Sequence, residues 1–258
     1  MTAMEIGEKT QYDERLKITR AFEDVYLLDD ADNGSGYVVL GKEKALVVDT
    51  CNGLQDFYAA VRSLTNLPVV LVNTHAHRDH VGGNRYFERA LIGEAELPVY
   101  LDGRKKNGFC EADIIREGDI IDLGGKTVEA ISFPGHTPGG ICLLDRADRI
   151  MFTGDSVLGR TVWLFMPNSV PVSEMKKSLE HLNTWRSEFD WLLTGHSRKI
   201  DDPRYIDELI GACDAILTGG PAERFGQVEI WGDKLDCCYY TGEDGMQSTL
   251  VFRKDLAR

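Results

Sequence analysis

Cysteine pairs at metal-site or disulfide spacing are missing from this sequence. Its six cysteines (Cys51, Cys110, Cys142, Cys213, Cys237 and Cys238) form no CxxC motif, which argues against a zinc finger or a stapled secreted scaffold. Most read as small core residues. The adjacent Cys237 and Cys238, in a strand, would point to opposite faces and so are not joint ligands. Long apolar runs are also lacking, so no segment reads as membrane-spanning. Positive charge is scarce: 29 Lys and Arg stand against 42 Asp and Glu, a net charge of −13. Nucleic-acid backbones need clustered cations, so they are not expected partners. Arg104, Lys105 and Lys106 read as three solvated cations in a turn. The first residues, MTAMEIGEKTQYDERLK, lack the basic start and apolar run of a signal peptide, and a cytoplasmic location is the expectation. No repeat or Pro/Ser-rich linker interrupts the chain. A single domain over residues 1–258 follows, with 227–258 as a strand-rich C-terminal extension.

What is present begins with periodicity. Tyr37 to Leu40 and Ala45 to Val48 are β-branched, apolar runs bounded by Asn33-Gly34 and Gly41, as in a hairpin. Leu54 to Thr65 carries Phe57, Val61 and Leu64 at helical spacing. Leu67 to Val72 is a continuous apolar run, the mark of a strand buried on both faces. Strands follow between Ile114 and Phe133, broken by Gly124-Gly125, and again at Ile141 to Leu144 and Ile150 to Thr153. Ser173 is a candidate N-cap for a helix whose apolar stripe is Met175, Leu179, Leu182, Trp185 and Phe189. Trp191 to Thr194 returns as a strand. Asp202 and Pro203 open a helix through Leu217. The tail reads as strands around the turn Gly242-Glu243-Asp244-Gly245. Strand-rich stretches broken by surface helices, twice over, suggest two packed sheets with helices outside.

Only six histidines occur, and three crowd into Thr74-His75-Ala76-His77-Arg78-Asp79-His80. In an extended segment His75 and His77 project from one side. Three imidazoles beside a carboxylate repel if protonated and lose solvation if buried; a divalent cation resolves both, and this donor set suits zinc, iron or manganese. His136 (in Phe133-Pro134-Gly135-His136-Thr137-Pro138-Gly139-Gly140), Asp155 (ending Thr153-Gly154-Asp155) and His196 (ending Thr194-Gly195-His196) each follow a strand, where rigid sheets present functional loops. His181 falls off the apolar stripe of its helix and reads as a surface residue.

The set His75-x-His77-x-Asp79-His80, then His136, Asp155 and His196 in that order, resembles the metallo-β-lactamase superfamily from Val47-Val48-Asp49-Thr50 through Gly195-His196. The resemblance implies an α/β fold, a four-layer αβ/βα sandwich with its metals at one edge of two sheets. It implies two divalent metal ions, zinc before manganese or iron. His75, His77 and His136 would hold one, Asp79, His80 and His196 the other, with Asp155 between them and Asp49 orienting a ligand imidazole from behind. The implied reaction is hydrolysis in which a bridging hydroxide attacks an electrophilic carbonyl or phosphorus, with Asp79 able to move a proton. An Asp at 155 departs from the zinc β-lactamases that place a Cys there, and points to the branch of glyoxalase II and the lactonases. The expected substrate is a small ester, thioester or lactone. An iron-dependent persulfide dioxygenase and a catalytically silent binding protein are the alternatives. Gly159 to Val172 reads as a loop whose Trp163 and Phe165 would line an apolar substrate pocket, tuck into the core, or make a homo-oligomer contact.

Overall fold

The computed structural model describes residues 9–11, 16–30, 34–242 and 245–258. Asn33, Glu243, Asp244 and most of the charged N-terminal stretch, to which some of the expectations above refer, lie outside the described residues. Eight strands make the first sheet, in sequential order: β1 (Lys9–Gln11), β2 (Leu16–Phe22), β3 (Val25–Asp30), β4 (Ser35–Leu40), β5 (Ala45–Val48), β6 (Val69–Val72), β7 (Arg89–Gly93) and β8 (Glu111–Ile115). Pairing is antiparallel through β5 and parallel from there on. The second sheet contains β9 (Ile120–Asp122), β10 (Thr127–Ser132), β11 (Ile141–Asp145), β12 (Ile150–Gly154) and β14 (Trp191–Thr194) in the order β14-β12-β11-β10-β9.

Period-two alternation explains the layers. Leu46 and Val48 of β5 and Ile141 and Leu143 of β11 meet in the core between the two sheets. Ala45 and Val47 turn outward onto α1 (Phe57–Leu64), against Phe57, Ala60 and Val61. Cys142 and Leu144 turn the other way, onto Met175, Leu179 and Leu182 of α4 (Val172–Asn183) and Ile206, Leu209 and Ala212 of α5 (Tyr205–Thr218). Strands buried on both faces therefore carry apolar residues at consecutive positions. The result is the expected four-layer αβ/βα sandwich. Tyr37 fastens the two sheets, its hydroxyl donating to the Thr194 carbonyl at 2.7 Å.

Several local expectations are corrected. A third sheet exists, formed by β13 (Thr161–Leu164), β17 (Gln247–Phe252), β16 (Asp233–Thr241) and β15 (Phe225–Ile230) in that order. Thr161 to Leu164 is thus a strand and not a loop: it pairs in parallel with β17, a partner that local reading cannot supply. The inner face of this sheet, with Cys238, Leu250 and Phe252, packs with α5, while Cys237 lies on its outer face, so the two cysteines do diverge. Helix α1 begins three residues later than its periodicity suggests, because Asp56 caps it through Ala59 N–H at 2.9 Å. Ser173 is inside α4 rather than its N-cap; Pro171 precedes the first turn, and the Ser173 N–H donates to the Arg258 carbonyl. Helix α5 starts at Tyr205, with Asp202 capping the lead-in turn through Arg204 N–H. Arg104, Lys105 and Lys106 close α3 (Leu97–Asn107), where cations complement the helix dipole, before Gly108 at φ 71° ends it. No helix among the described residues is long and apolar enough to cross a membrane.

Candidate metal centre

The sheet edges bring all seven candidate ligands together. His75 and His77 follow β6, and His77 precedes the short helix α2 (Arg78–Val81) that carries Asp79 and His80. His136 follows β10, Asp155 follows β12 and His196 follows β14. His75 Nε2 lies 3.1 Å and His136 Nε2 2.9 Å from His77 Nδ1. A second group, Asp79, His80 and His196, converges beside them. His196 Nε2 is 3.4 Å from Asp79 Oδ2 and 3.1 Å from Asp155 Oδ2, and His80 Nε2 is 3.3 Å from Asp155 Oδ1. Asp155 turns the same Oδ2 towards the first group, 3.6 Å from His136 Nε2.

The rings are aimed from behind. Asp49 Oδ2 accepts from His80 Nδ1 at 2.8 Å, while its Oδ1 accepts the Thr74 N–H at 2.8 Å. Thr74 Oγ1 donates to Asp49 Oδ2 at 2.7 Å and stands 3.1 Å from His75 Nδ1. His136 Nδ1 donates to the Trp163 carbonyl at 2.6 Å. With Nδ1 engaged as donor, each of these three imidazoles presents the lone pair of Nε2 to the centre, the tautomer a cation requires. Asp49 reaches its place through a left-handed backbone, φ 58°. Gly195 leaves the room: a Cβ there would sit 2.2 Å from Asp155 Oδ1 and 2.6 Å from His80 Cε1.

The electrostatics suit a bound cation. Burial, then the neighbouring His80 and His77, hold His75 well below the ordinary imidazole value. Burial and His136 push His77 down to about 4. Burial alone would lower His80, but the carboxylates of Asp155 and Asp49 raise it well above the ordinary value. Burial would likewise raise Asp155, yet His80 and His196 hold it well below the carboxylate range. His80 Nε2 and Asp155 Oδ1 are fully buried without hydrogen-bonding partners. Orphaned donor atoms of this kind, clustered and of N and O type, suit a divalent cation.

Two positioning residues escaped the sequence reading. Thr74 adjoins the histidine cluster but carries no motif of its own. Glu96 is only 1% exposed; its Oε2 accepts the Ala76 N–H at 3.0 Å and its Oε1 the Gly139 N–H at 2.8 Å. It thereby ties the His75–His77 segment to the His136 loop, and nothing in its local sequence announces that. His181 is where it was expected, on the surface, with Nε2 2.8 Å from Glu117 Oε1. The Trp163 ring lies 5.1 Å from that of Phe165 and away from the sheet's inner core.

Comparison with known proteins bears on the family and the fold. An acyl-coenzyme A thioesterase of Gallus gallus is 29% identical over 168 residues, 52% of this chain and 61% of its own length. An atrochrysone carboxyl ACP thioesterase of Cryptosporiopsis is 27% identical over 195 residues, 73% of this chain and 53% of that protein. The matches thus span little more than half to three fifths of these relatives. A metallo-beta-lactamase from Pontibacter korlensis superposes with a TM-score of 0.60 at 18% identity, covering 80% of this chain and 98% of that one, which speaks to the fold. A sequence model described as the Metallo-beta-lactamase superfamily matches residues 29–197, the stretch that holds every ligand candidate from His75 to His196. With that match over most of its length and the fold beneath it, the chain belongs to the metallo-beta-lactamase superfamily.

Proposed function

We propose that this protein is a hydrolase that uses two divalent metal ions, zinc before manganese or iron, to cleave a thioester. The observation that carries the reading is the pair of converging donor groups with Asp155 directed at both. His75, His77 and His136 would hold one cation, Asp79, His80 and His196 the other, with Asp155 between. Bound cations would polarise the acyl oxygen and lower the pKa of the attacking water.

The chain's own residues do the rest. Asp49, Thr74 and the Trp163 carbonyl keep three rings fixed, so little reorganisation accompanies the reaction. Asp79, half-buried at the first turn of α2, is the carboxylate placed to move a proton. A carboxylate is a weak base, which suits a thiol leaving group: thiols ionise near pH 8.5, so a thiolate departs with little help, unlike an amide nitrogen. This favours a thioester over a lactam, as do the thioesterase names of the relatives. The substrate is a small molecule. The net charge of −13 disfavours a nucleic-acid backbone as partner.

Elemental analysis of protein purified without added metal, paired with an assay on acyl thioesters, tests the proposal. About two equivalents of zinc or manganese with thioester hydrolysis support it. About one equivalent of iron, with oxygen consumption on persulfides, would replace it with the dioxygenase reading.

A further inference from the structure

The third sheet carries an aromatic group on a strand that touches the candidate metal centre through one backbone hydrogen bond, His136 Nδ1 to the Trp163 carbonyl. β15 and β16 join through a two-residue turn, Trp231-Gly232, in which both residues have positive φ, 53° and 87°. Hairpins of this form normally carry Asn-Gly, because Asn tolerates the left-handed region and a bulky residue does not. Here the strained position holds a tryptophan that is 74% exposed, the most exposed large apolar side chain among the described residues. Neither backbone preference nor burial accounts for it.

Its ring stands edge-on to Trp163 at 5.3 Å and 88°, and 6.0 Å from Phe165. The partly buried Met166 and Ile230 continue the apolar surface over the buried Val251. Trp163 links this surface to the chemistry, because its carbonyl accepts from His136 Nδ1. A separate cavity of about 250 Å³ is lined by Asn52, Arg78, Arg85 and Asn107 among others, and suits polar groups. Within this group only Trp231 is an exposed side chain, the others being buried or half-buried, and an indole presents at most roughly 250 Å². A stable dimer needs about 800 Å² on each partner, so a second copy of the chain is a poor occupant for this surface.

We infer that Trp231, with Trp163 and Phe165, forms the platform for the acyl group of the substrate and makes the enzyme selective for long or aromatic acyl thioesters over acetyl. The inference rests on the thioesterase reading above.

The test compares acetyl and octanoyl thioesters of N-acetylcysteamine, together with binding of the octyl thioether analogue, in wild type, Trp231→Ala and Trp231→Asn. Asn restores the residue this turn prefers, so Trp231→Asn keeps the hairpin and the wild-type melting temperature. Both variants should lose about tenfold in kcat/KM for octanoyl, the scale of one lost apolar aromatic contact, and less than twofold for acetyl. Analogue affinity should fall in parallel. An unchanged octanoyl-to-acetyl ratio, equal losses on both substrates, or a wild-type dimer that Trp231→Ala splits would overturn the inference. If wild type hydrolyses no thioester, the function reading fails, while the analogue still decides the platform: binding lost with Trp231 supports it, and binding absent from wild type or unaffected by the variants refutes it.

Discussion

The Asp49 carboxylate receives the Nδ1 proton of His80 across 2.8 Å, between two side chains that are both almost fully buried. Asn keeps the left-handed backbone of position 49 accessible but removes the charge. Asp49→Asn is therefore expected to fold and to weaken cation binding by about 10- to 100-fold, the usual effect of losing a partner behind a ligand. Competition against a chelator of known affinity measures this. Wild-type affinity in the variant would show that Asp49 only shapes its turn.

Glu96 holds two loops at once. Glu96→Ala strands the Ala76 and Gly139 N–H groups in a buried place, each costing about 1–3 kcal/mol. We expect a clear fall in melting temperature together with reduced kcat in the protein that remains folded. Glu96→Gln retains one acceptor oxygen and should lie between. Loss of stability with unaltered kcat would confine Glu96 to scaffolding.

His77 Nδ1 lies between the other two nitrogens of its group. His77→Ala should abolish turnover and reduce bound metal together, with the remaining fold intact by circular dichroism. Full activity in this variant would refute the ligand assignment.

Acid should destabilise the metal-stripped protein. His75 and His77 stay neutral in the native state below the ordinary imidazole value of 6.5, His77 until about pH 4. Between those values the unfolded chain binds more protons than the native one, so stability falls as pH falls. The raised His80 contributes in full below pH 6.5 and is constant there, and the depressed Asp155 adds to the decline only as pH approaches the ordinary carboxylate value of 3.8 at the acid end. Thermal melts from pH 7 to 4 should show the decline, and His77→Gln should make it shallower. A flat profile would contradict it.

Much of the candidate centre was legible because its residues share one local rule: each lies just past a strand, and four of the seven fall in a single short segment. The αβ/βα layering was legible for a similar reason, since Ala45–Val48 of β5 and residues 141–144 of β11 advertise two buried faces by being apolar at consecutive positions. What stayed hidden depends on partners distant in sequence. Thr161 to Leu164 becomes a strand only because β17 lies alongside it, and Trp163 contributes its backbone oxygen to His136 where side-chain chemistry alone would have drawn attention. Glu96 is a carboxylate like any other until the fold sets it between Ala76 and Gly139. Ser173 offered a cap by type, yet Pro171 had already fixed where α4 begins.

The parallel pairing of β13 with β17 also orders events in time. Every ligand candidate has been synthesised once the ribosome passes His196, but the strand flanking the carbonyl that orients His136 is completed only with Gln247–Phe252. A nascent chain stalled short of Gln247 would display the ligands without β13's partner strand. The backbone behind His136 thus depends on a strand that lies well past the last ligand candidate in the chain, so the centre's geometry is a property of all three sheets and not of its ligand loops alone.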